Sequence, residues 1–190
     1  MQISITPFTV HKRVALTISR GTHAQSTTLW VRLAADGIDG WGEATPFSVG
    51  THTQTVTQLQ QELTDLAPVL SEFHPLERQR LVPHLTTLSS AARAAIDVAL
   101  HDWLGKHVGL PLWQLWGLDR QHIGPTAVTI GISSPEQAVQ RLHQWQAQLP
   151  DVRSVKVKLG SPQGMQADQA MMTALLPEIA ADTKVSIDAN

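Results

Sequence analysis

The feature of the sequence that most constrains the fold is a regular alternation of strand-like and helix-like segments after residue 120. The strand-like runs are 126–130, 155–159 and 185–189. Thr129, Lys158 and Asp188, one in each run, are 29 and 30 residues apart, about the length of one βαβ unit. This period predicts a parallel sheet or a β/α barrel.

The segments between the runs carry helix signals. Residues 136–149 follow Ser134, a residue type favoured at the N-cap, and Pro135, which suits the first helical position. Residues 166–180 form the second such segment. Residues 121–190 are therefore expected to hold three strands and two helices, the first β/α units of a barrel that remains incomplete in this chain.

Residues 1–120 have a different organisation and are expected to form a separate α+β domain. Short β-type runs lie between residues 3 and 43. Two of these runs flank Asp36-Gly37, which is a strong hairpin signal. The sequence therefore predicts that this domain opens with an antiparallel sheet.

Three helices are expected after this sheet. They lie at 53–70, at 75–85 and after Ser89-Ser90. Ser90 is the expected N-cap of the third helix, which carries an apolar stripe of Ile96, Ala99, Leu100 and Trp103. Pro111 prevents its continuation, so we expect this helix to end between Gly105 and Gly109.

The composition argues against several classes of protein. With 14 Lys and Arg against 16 Asp and Glu, the formal net charge of -2 gives no electrostatic reason to expect nucleic acid or a membrane as partner. The absence of cysteine excludes disulfides and thiolate metal sites. There is no signal-peptide pattern, and no run approaches the roughly 20 apolar residues of a membrane span. A soluble cytoplasmic protein is expected.

Candidate chemistry lies at the ends of the later strands. Alternation places Val155 and Val157 on one face of their strand and Lys156 and Lys158 on the other. Lysines in solvent on a half-exposed strand remain an alternative to lysines that face a barrel interior. The next strand favours the second interpretation, because Asp188 lies at its C-terminal end, where barrel enzymes keep their active sites.

These residues resemble motifs of a known family. Lys156-Val157-Lys158 resembles the Lys-x-Lys motif on the second barrel strand of the muconate-lactonizing subgroup of the enolase superfamily. Asp188-Ala189-Asn190 resembles the Asp-x-Asn motif on the third strand. Two further matches, at 40–44 and 95–106, occur in order before the barrel. The resemblance covers essentially the whole chain and implies an α+β capping domain followed by a β/α barrel.

Within this superfamily the chain is most similar to dipeptide epimerases, which act on Ala-Xaa dipeptides. Residues 126–132 are similar to their first barrel strand, where the residue matching Thr129 contacts the substrate. Residues 18–23 are similar to their mobile capping loop. His23 stands where Ala-Glu epimerases have an arginine, so a bidentate partner for a side-chain carboxylate is missing and another specificity is expected.

The resemblance also implies a mechanism and roles for four residues. Removal of the proton next to a carboxylate builds a doubly charged enediolate, which Mg²⁺ and a nearby ammonium can stabilise. Lys158 is implied as the proton acceptor and donor on one face of the substrate carbon. Lys156 is implied to hold the carboxylate, Asp188 to bind Mg²⁺, and Asn190 to orient the lysine region.

One departure from the family is large. Two further acidic metal ligands and a second catalytic lysine, which the family carries on later strands, are absent from these 190 residues. We therefore expect the N-terminal half of a longer enzyme, with a dipeptide as its partner and no activity in this segment alone. Homo-oligomer formation stays open. The alternatives are an o-succinylbenzoate synthase, a lyase with the same motifs, and a non-catalytic interaction module.

Overall fold

The computed structural model describes residues 1–49 and 52–189. These residues divide into two compact units. The first unit contains Met1–Val10 and Ser26–Gln121, and the second contains His11–Gln25 and His122–Asn190. The second unit thus includes a segment from the N-terminal part of the chain as well as the strand and helix repeats.

The chain begins with three strands that form one sheet in the order β1-β2-β3. They are β1 (Gln2–Ile18), β2 (Gly21–Ala35) and β3 (Ile38–Ala44), so the first two are much longer than the short runs that the sequence indicates. The expected Asp36-Gly37 turn is confirmed between β2 and β3, which pair antiparallel. Asp36 and Gly37 have φ of 53° and 74°, the left-handed conformation that favours these residue types.

A two-stranded hairpin and four helices complete the first unit. The hairpin strands are β4 (Ser48–Val49) and β5 (His52–Thr53). The helices are α1 (Val56–Ser71), α2 (Arg78–Leu85), α3 (Ser90–Val108) and α4 (Leu112–Leu115), with a 3₁₀ turn at Pro75–Glu77. A second 3₁₀ turn, Arg120–His122, includes the last residues of the first unit and the residue at which the second resumes. The three helices expected from the sequence are confirmed, whereas α4 and the small hairpin were not expected.

The N-cap of α3 is not the one that we predicted. Ser90 is the first helical residue, and Ser89 occupies the N-cap without a side-chain bond to the helix. Its backbone N–H and its hydroxyl instead donate to the Glu62 carboxylate of α1, at 2.9 and 2.6 Å. The C-terminal end agrees with the sequence, because Gly109 closes α3 in a left-handed conformation.

The core of the first unit lies between the sheet and the helices. Alternate residues Leu29, Val31 and Leu33 of β2 are fully buried. Apolar residues of α1, α2 and α3 pack with them in one cluster. Helix α3 also lies directly against β3, since a Cβ added to Gly42 would stand 2.0 Å from the carbonyl oxygen of Ala95. Only glycine allows the strand and the helix to approach this closely.

The second unit contains the alternating elements that the sequence predicts. They are β6 (Val128–Ile130), α5 (Pro135–Gln148), β7 (Ser154–Lys158), α6 (Met165–Leu175) and β8 (Lys184–Asp188), with a 3₁₀ turn at Leu176–Glu178. The strands pair parallel in the order β6-β7-β8. Ser134 caps α5 in a reciprocal capping box with Gln137. The prediction of an α+β domain followed by the first β/α units of a barrel is confirmed.

The second unit has its own apolar core. Val155 and Val157 of β7 are fully buried, as the alternation predicts, together with Met171 and Leu175 of α6. None of the helices in the described residues combines the length and the apolar character that a membrane span needs.

The close contact between β3 and α3 leads to a prediction about stability. We expect Gly42→Ala to lower the free energy of unfolding by about 1–3 kcal/mol or more, because the added methyl group meets backbone that cannot move aside. Gly124→Ala is the matched control, since a Cβ at Gly124 meets nothing within 4 Å. Urea unfolding of both variants measures the difference. Equal stabilities for the two variants would contradict the predicted packing.

Candidate functional site

The parallel sheet brings four of the residues singled out from the sequence into neighbouring positions. Thr129 of β6 is paired with Lys156 of β7, and Lys158 of β7 is paired with Asp188 of β8. Since parallel strands end at the same edge, Lys158 and Asp188 lie together at the C-terminal edge of the sheet. Barrel enzymes place their catalytic groups at this edge.

The two lysines lie on the face of β7 opposite its buried valines. The side chain of Lys158 is 18% exposed and that of Lys156 is 43% exposed. The sequence allowed lysines in solvent or lysines that face the interior of a barrel. The low exposure of Lys158 agrees with the second interpretation. Lys156 lies closer to the solvent-exposed alternative.

Both ammonium groups are directed at one carboxylate. The Nζ atom of Lys158 donates to Oδ2 of Asp188 at 2.6 Å, and the Nζ atom of Lys156 lies 3.8 Å from the same oxygen. Opposite charge on Asp188 offsets the repulsion between two lysines that are two residues apart. The arrangement thus provides two cations and one anion in a small volume, suited to bind and to move protons on an anionic molecule.

The described residues do not by themselves form a magnesium site. A carboxylate such as Asp188 is an oxygen ligand of the kind that Mg²⁺ prefers. However, no group of three or more His, Asp or Glu residues within 1–49 and 52–189 could hold a metal ion. A magnesium site at Asp188 would require further ligands from outside this part of the protein.

Thr129 is held in place by a residue that our sequence analysis missed. The indole Nε1 of Trp145 in α5 donates to the carbonyl oxygen of Thr129 at 3.1 Å. The guanidinium of Arg141 lies 4.2 Å from the centre of the Trp145 ring, a cation–π contact, and burial lowers the pKa of Arg141. In the sequence, the signal for this contact was a tryptophan one helical turn after Arg141.

The segment expected to be a mobile capping loop forms the end of the β1-β2 hairpin. Only residues 19 and 20 form its turn, and His23 lies in strand β2. The hydroxyls of Thr17 and Thr22 are 2.9 Å apart across the hairpin. Strand structure extends to residue 18 and resumes at residue 21, so the loop of this hairpin consists of residues 19 and 20.

This hairpin end is attached to the C-terminal side of β6. The carbonyl of Thr17 accepts a hydrogen bond from the N–H of Ile132 at 2.9 Å. A cavity of about 620 Å³ lies between residues 12–17, the end of β6 and α5, and Thr129 is part of its wall. In the described residues, no hydrogen bond or ion pair joins His23 to Thr129, Lys156, Lys158 or Asp188. Asn190, the other motif residue, lies outside the described residues.

Comparison with known families agrees with this fold. Residues 2–117 match the family model described as "Mandelate racemase / muconate lactonizing enzyme, N-terminal domain". Because this match covers more than half of the chain, the protein belongs to the mandelate racemase / muconate lactonizing enzyme family, which is part of the enolase superfamily.

Curated relatives carry more specific names. The chain is 34% identical to a "Hydrophobic dipeptide epimerase" of Flavobacteria bacterium (strain MS024-2A), over 100% of this chain and 54% of the relative. It is 35% identical to a protein of the same name from Roseobacter litoralis, over 86% of this chain and 46% of the relative. The chain therefore spans about half the length of the curated relatives that it matches.

Solved structures show the same architecture. A dipeptide epimerase from Enterococcus faecalis V583, complexed with Mg and the dipeptide L-Leu-L-Tyr, matches with a TM-score of 0.83 and 25% identity. The match covers 100% of this chain and 53% of that chain. The substrate-liganded L-Ala-D/L-Glu epimerase from Bacillus subtilis matches with a TM-score of 0.87 at 22% identity, a likeness in fold alone.

Proposed function

We propose that this chain provides the N-terminal half of a Mg²⁺-dependent dipeptide epimerase. The observation that carries the proposal is the close group of Lys158, Lys156 and Asp188 at the C-terminal edge of a parallel sheet. Two relatives named hydrophobic dipeptide epimerases, each more than 30% identical, support this reaction class. The reaction would be removal and return of the proton on the carbon next to a carboxylate, through an enediolate.

Each residue has a role that its position supports. Lys158 would take the proton from one face of the substrate carbon, since it lies at the strand end and is only 18% exposed. Lys156 lies two residues before Lys158 on the same face of β7 and is more exposed. It would hold the substrate carboxylate beside Thr129, its partner on β6.

Asp188 would contribute one ligand to Mg²⁺. When bound, Mg²⁺ would supply Lewis-acid stabilisation of the charge on the substrate carboxylate. The other ligands, and a second base for the opposite face of the substrate, would come from the half of the relatives' length that this chain does not match. This division supports the proposal that residues 1–190 act only as part of a longer enzyme.

The residue type at position 23 supports a substrate with an uncharged second side chain. His23 provides no fixed positive charge to pair with an acidic side chain, unlike the arginine of Ala-Glu epimerases. The names of the Flavobacteria and Roseobacter relatives agree with this preference. We therefore propose dipeptides in which Ala is followed by an apolar or uncharged residue.

Replacement of Lys158 tests the proposed base. In the longest natural polypeptide that contains residues 1–190, Lys158→Ala should abolish exchange of the substrate α-proton from one epimer in heavy water. The fold should persist, because the residue provides a base at a strand end more than it provides packing. Lys184→Ala is the matched control, since Lys184 is an exposed lysine at the opposite end of β8 and should leave both exchange rates unchanged. Retained exchange from both epimers in Lys158→Ala would remove Lys158 from the mechanism.

Replacement of His23 tests the proposed specificity. We expect His23→Arg to raise kcat/KM for Ala-Glu relative to Ala-Leu by about 10- to 100-fold, the value of a charge-assisted contact. The control His11→Arg places the same charge on the other strand of the hairpin and should not change this ratio. Initial rates with both dipeptides measure it. A wild-type enzyme that already prefers Ala-Glu, with no effect of His23→Arg, would contradict the assignment.

A further inference from the structure

The loop that follows β7 is held by a single carboxylate from the next helix. Asp168, in the first turn of α6, accepts a hydrogen bond from the N–H of Gly160 at 3.0 Å. It also accepts the N–H of Ser161, with its two oxygens at 3.2 and 3.3 Å from that nitrogen. Asp168 is half-buried. The backbone N–H groups of residues 160 and 161, the second and third residues after Lys158, thus share the Asp168 carboxylate as acceptor.

These bonds lie at the point where the chain leaves the sheet. The N–H of Leu159 still donates to the carbonyl oxygen of Asp188, at 2.9 Å, as part of the strand ladder. Gly160 then turns the chain away with a φ of 92°. Ends of strands open more readily than their centres. An ionised acceptor forms stronger hydrogen bonds than a neutral one, so Asp168 holds the part of β7 that would otherwise open first.

The same loop is closed on its other side. The hydroxyl of Ser161 accepts the N–H of Gln163 at 3.2 Å, and the carbonyl of Ser161 accepts the N–H of Gly164 at 2.9 Å. The chain therefore returns directly to the start of α6 at Met165. Strand end, loop and helix are joined through Asp168 and Ser161, and a shift of the loop would be transmitted to Lys158.

We infer that Asp168 is a positioning residue that fixes the end of β7 and thereby the place of the Lys158 ammonium beside Asp188. This inference rests on the proposed function for its catalytic consequence. Asp168 is not placed to touch the reacting atoms. It acts through the backbone of residues 160 and 161.

Chemical labelling tests the inference without any assay of activity. Competitive acetylation of the full chain, read by mass spectrometry, compares the reactivity of Lys158 with that of Lys184 at the far end of β8. Asp168→Ala should raise the relative reactivity of Lys158 by about threefold or more, because the strand end opens. Glu136→Ala is the matched control, since it removes a first-turn acid from α5, the preceding helix. An unchanged ratio in Asp168→Ala would overturn the inference.

Proton exchange in heavy water tests the catalytic consequence in the longest natural polypeptide. Asp168→Ala should lower exchange from the epimer served by Lys158 by about 10- to 100-fold, the cost of a small misplacement of a catalytic group. Exchange from the other epimer and KM should change little. Asp168→Asn, which keeps an acceptor for one amide, should restore part of the loss.

The outcomes separate this inference from the proposed function. Equal loss from both epimers, or no loss, would overturn a positioning role for Asp168. A wild-type enzyme that epimerises no dipeptide would overturn the proposed function, and the labelling ratio alone would then decide whether Asp168 positions Lys158.

Discussion

The parallel pairing of β6, β7 and β8 is the constraint on which the candidate site depends. In this register Val155 and Val157 are buried beneath the sheet, and the lysines that alternate with them lie on the other face. A shift of one residue would exchange the two sets and place ammonium groups in the apolar core, which is costly. Burial of the valines therefore fixes the register in which Lys158 lies beside Asp188. The 2.6 Å contact between Lys158 Nζ and Asp188 Oδ2 follows from this register.

Much of this arrangement could be predicted from the sequence, because its determinants are local. The spacing of Thr129, Lys158 and Asp188 follows from the length of a βαβ unit, and alternation within five residues assigns the two faces of β7. Ser134 and Pro135 mark the start of α5 through the chemistry of the first helical turn. In each case the residues that specify the structure lie close together in the chain, so a single sequence contains the necessary information.

The features that were missed or wrong depend on partners distant in the chain. Ser89 bonds to Glu62, 27 residues away, and therefore does not cap its own helix with its side chain. The strand structure around His23 depends on its place in the long hairpin of β1 and β2, which the resemblance to a capping loop did not indicate. Trp145 reaches the Thr129 carbonyl only once α5 has packed on β6. Turn signals and propensities do not encode such contacts.

We propose that the strand-end group of Lys156, Lys158 and Asp188 belongs to an enzyme that epimerises dipeptides. The most direct test is proton NMR of L-Ala-L-Leu in heavy water with Mg²⁺ and the longest natural polypeptide that contains residues 1–190. We expect deuterium to enter an α-position as the second epimer accumulates. A folded, Mg²⁺-supplied protein that leaves every α-proton of a hydrophobic and an acidic dipeptide series in place would contradict it.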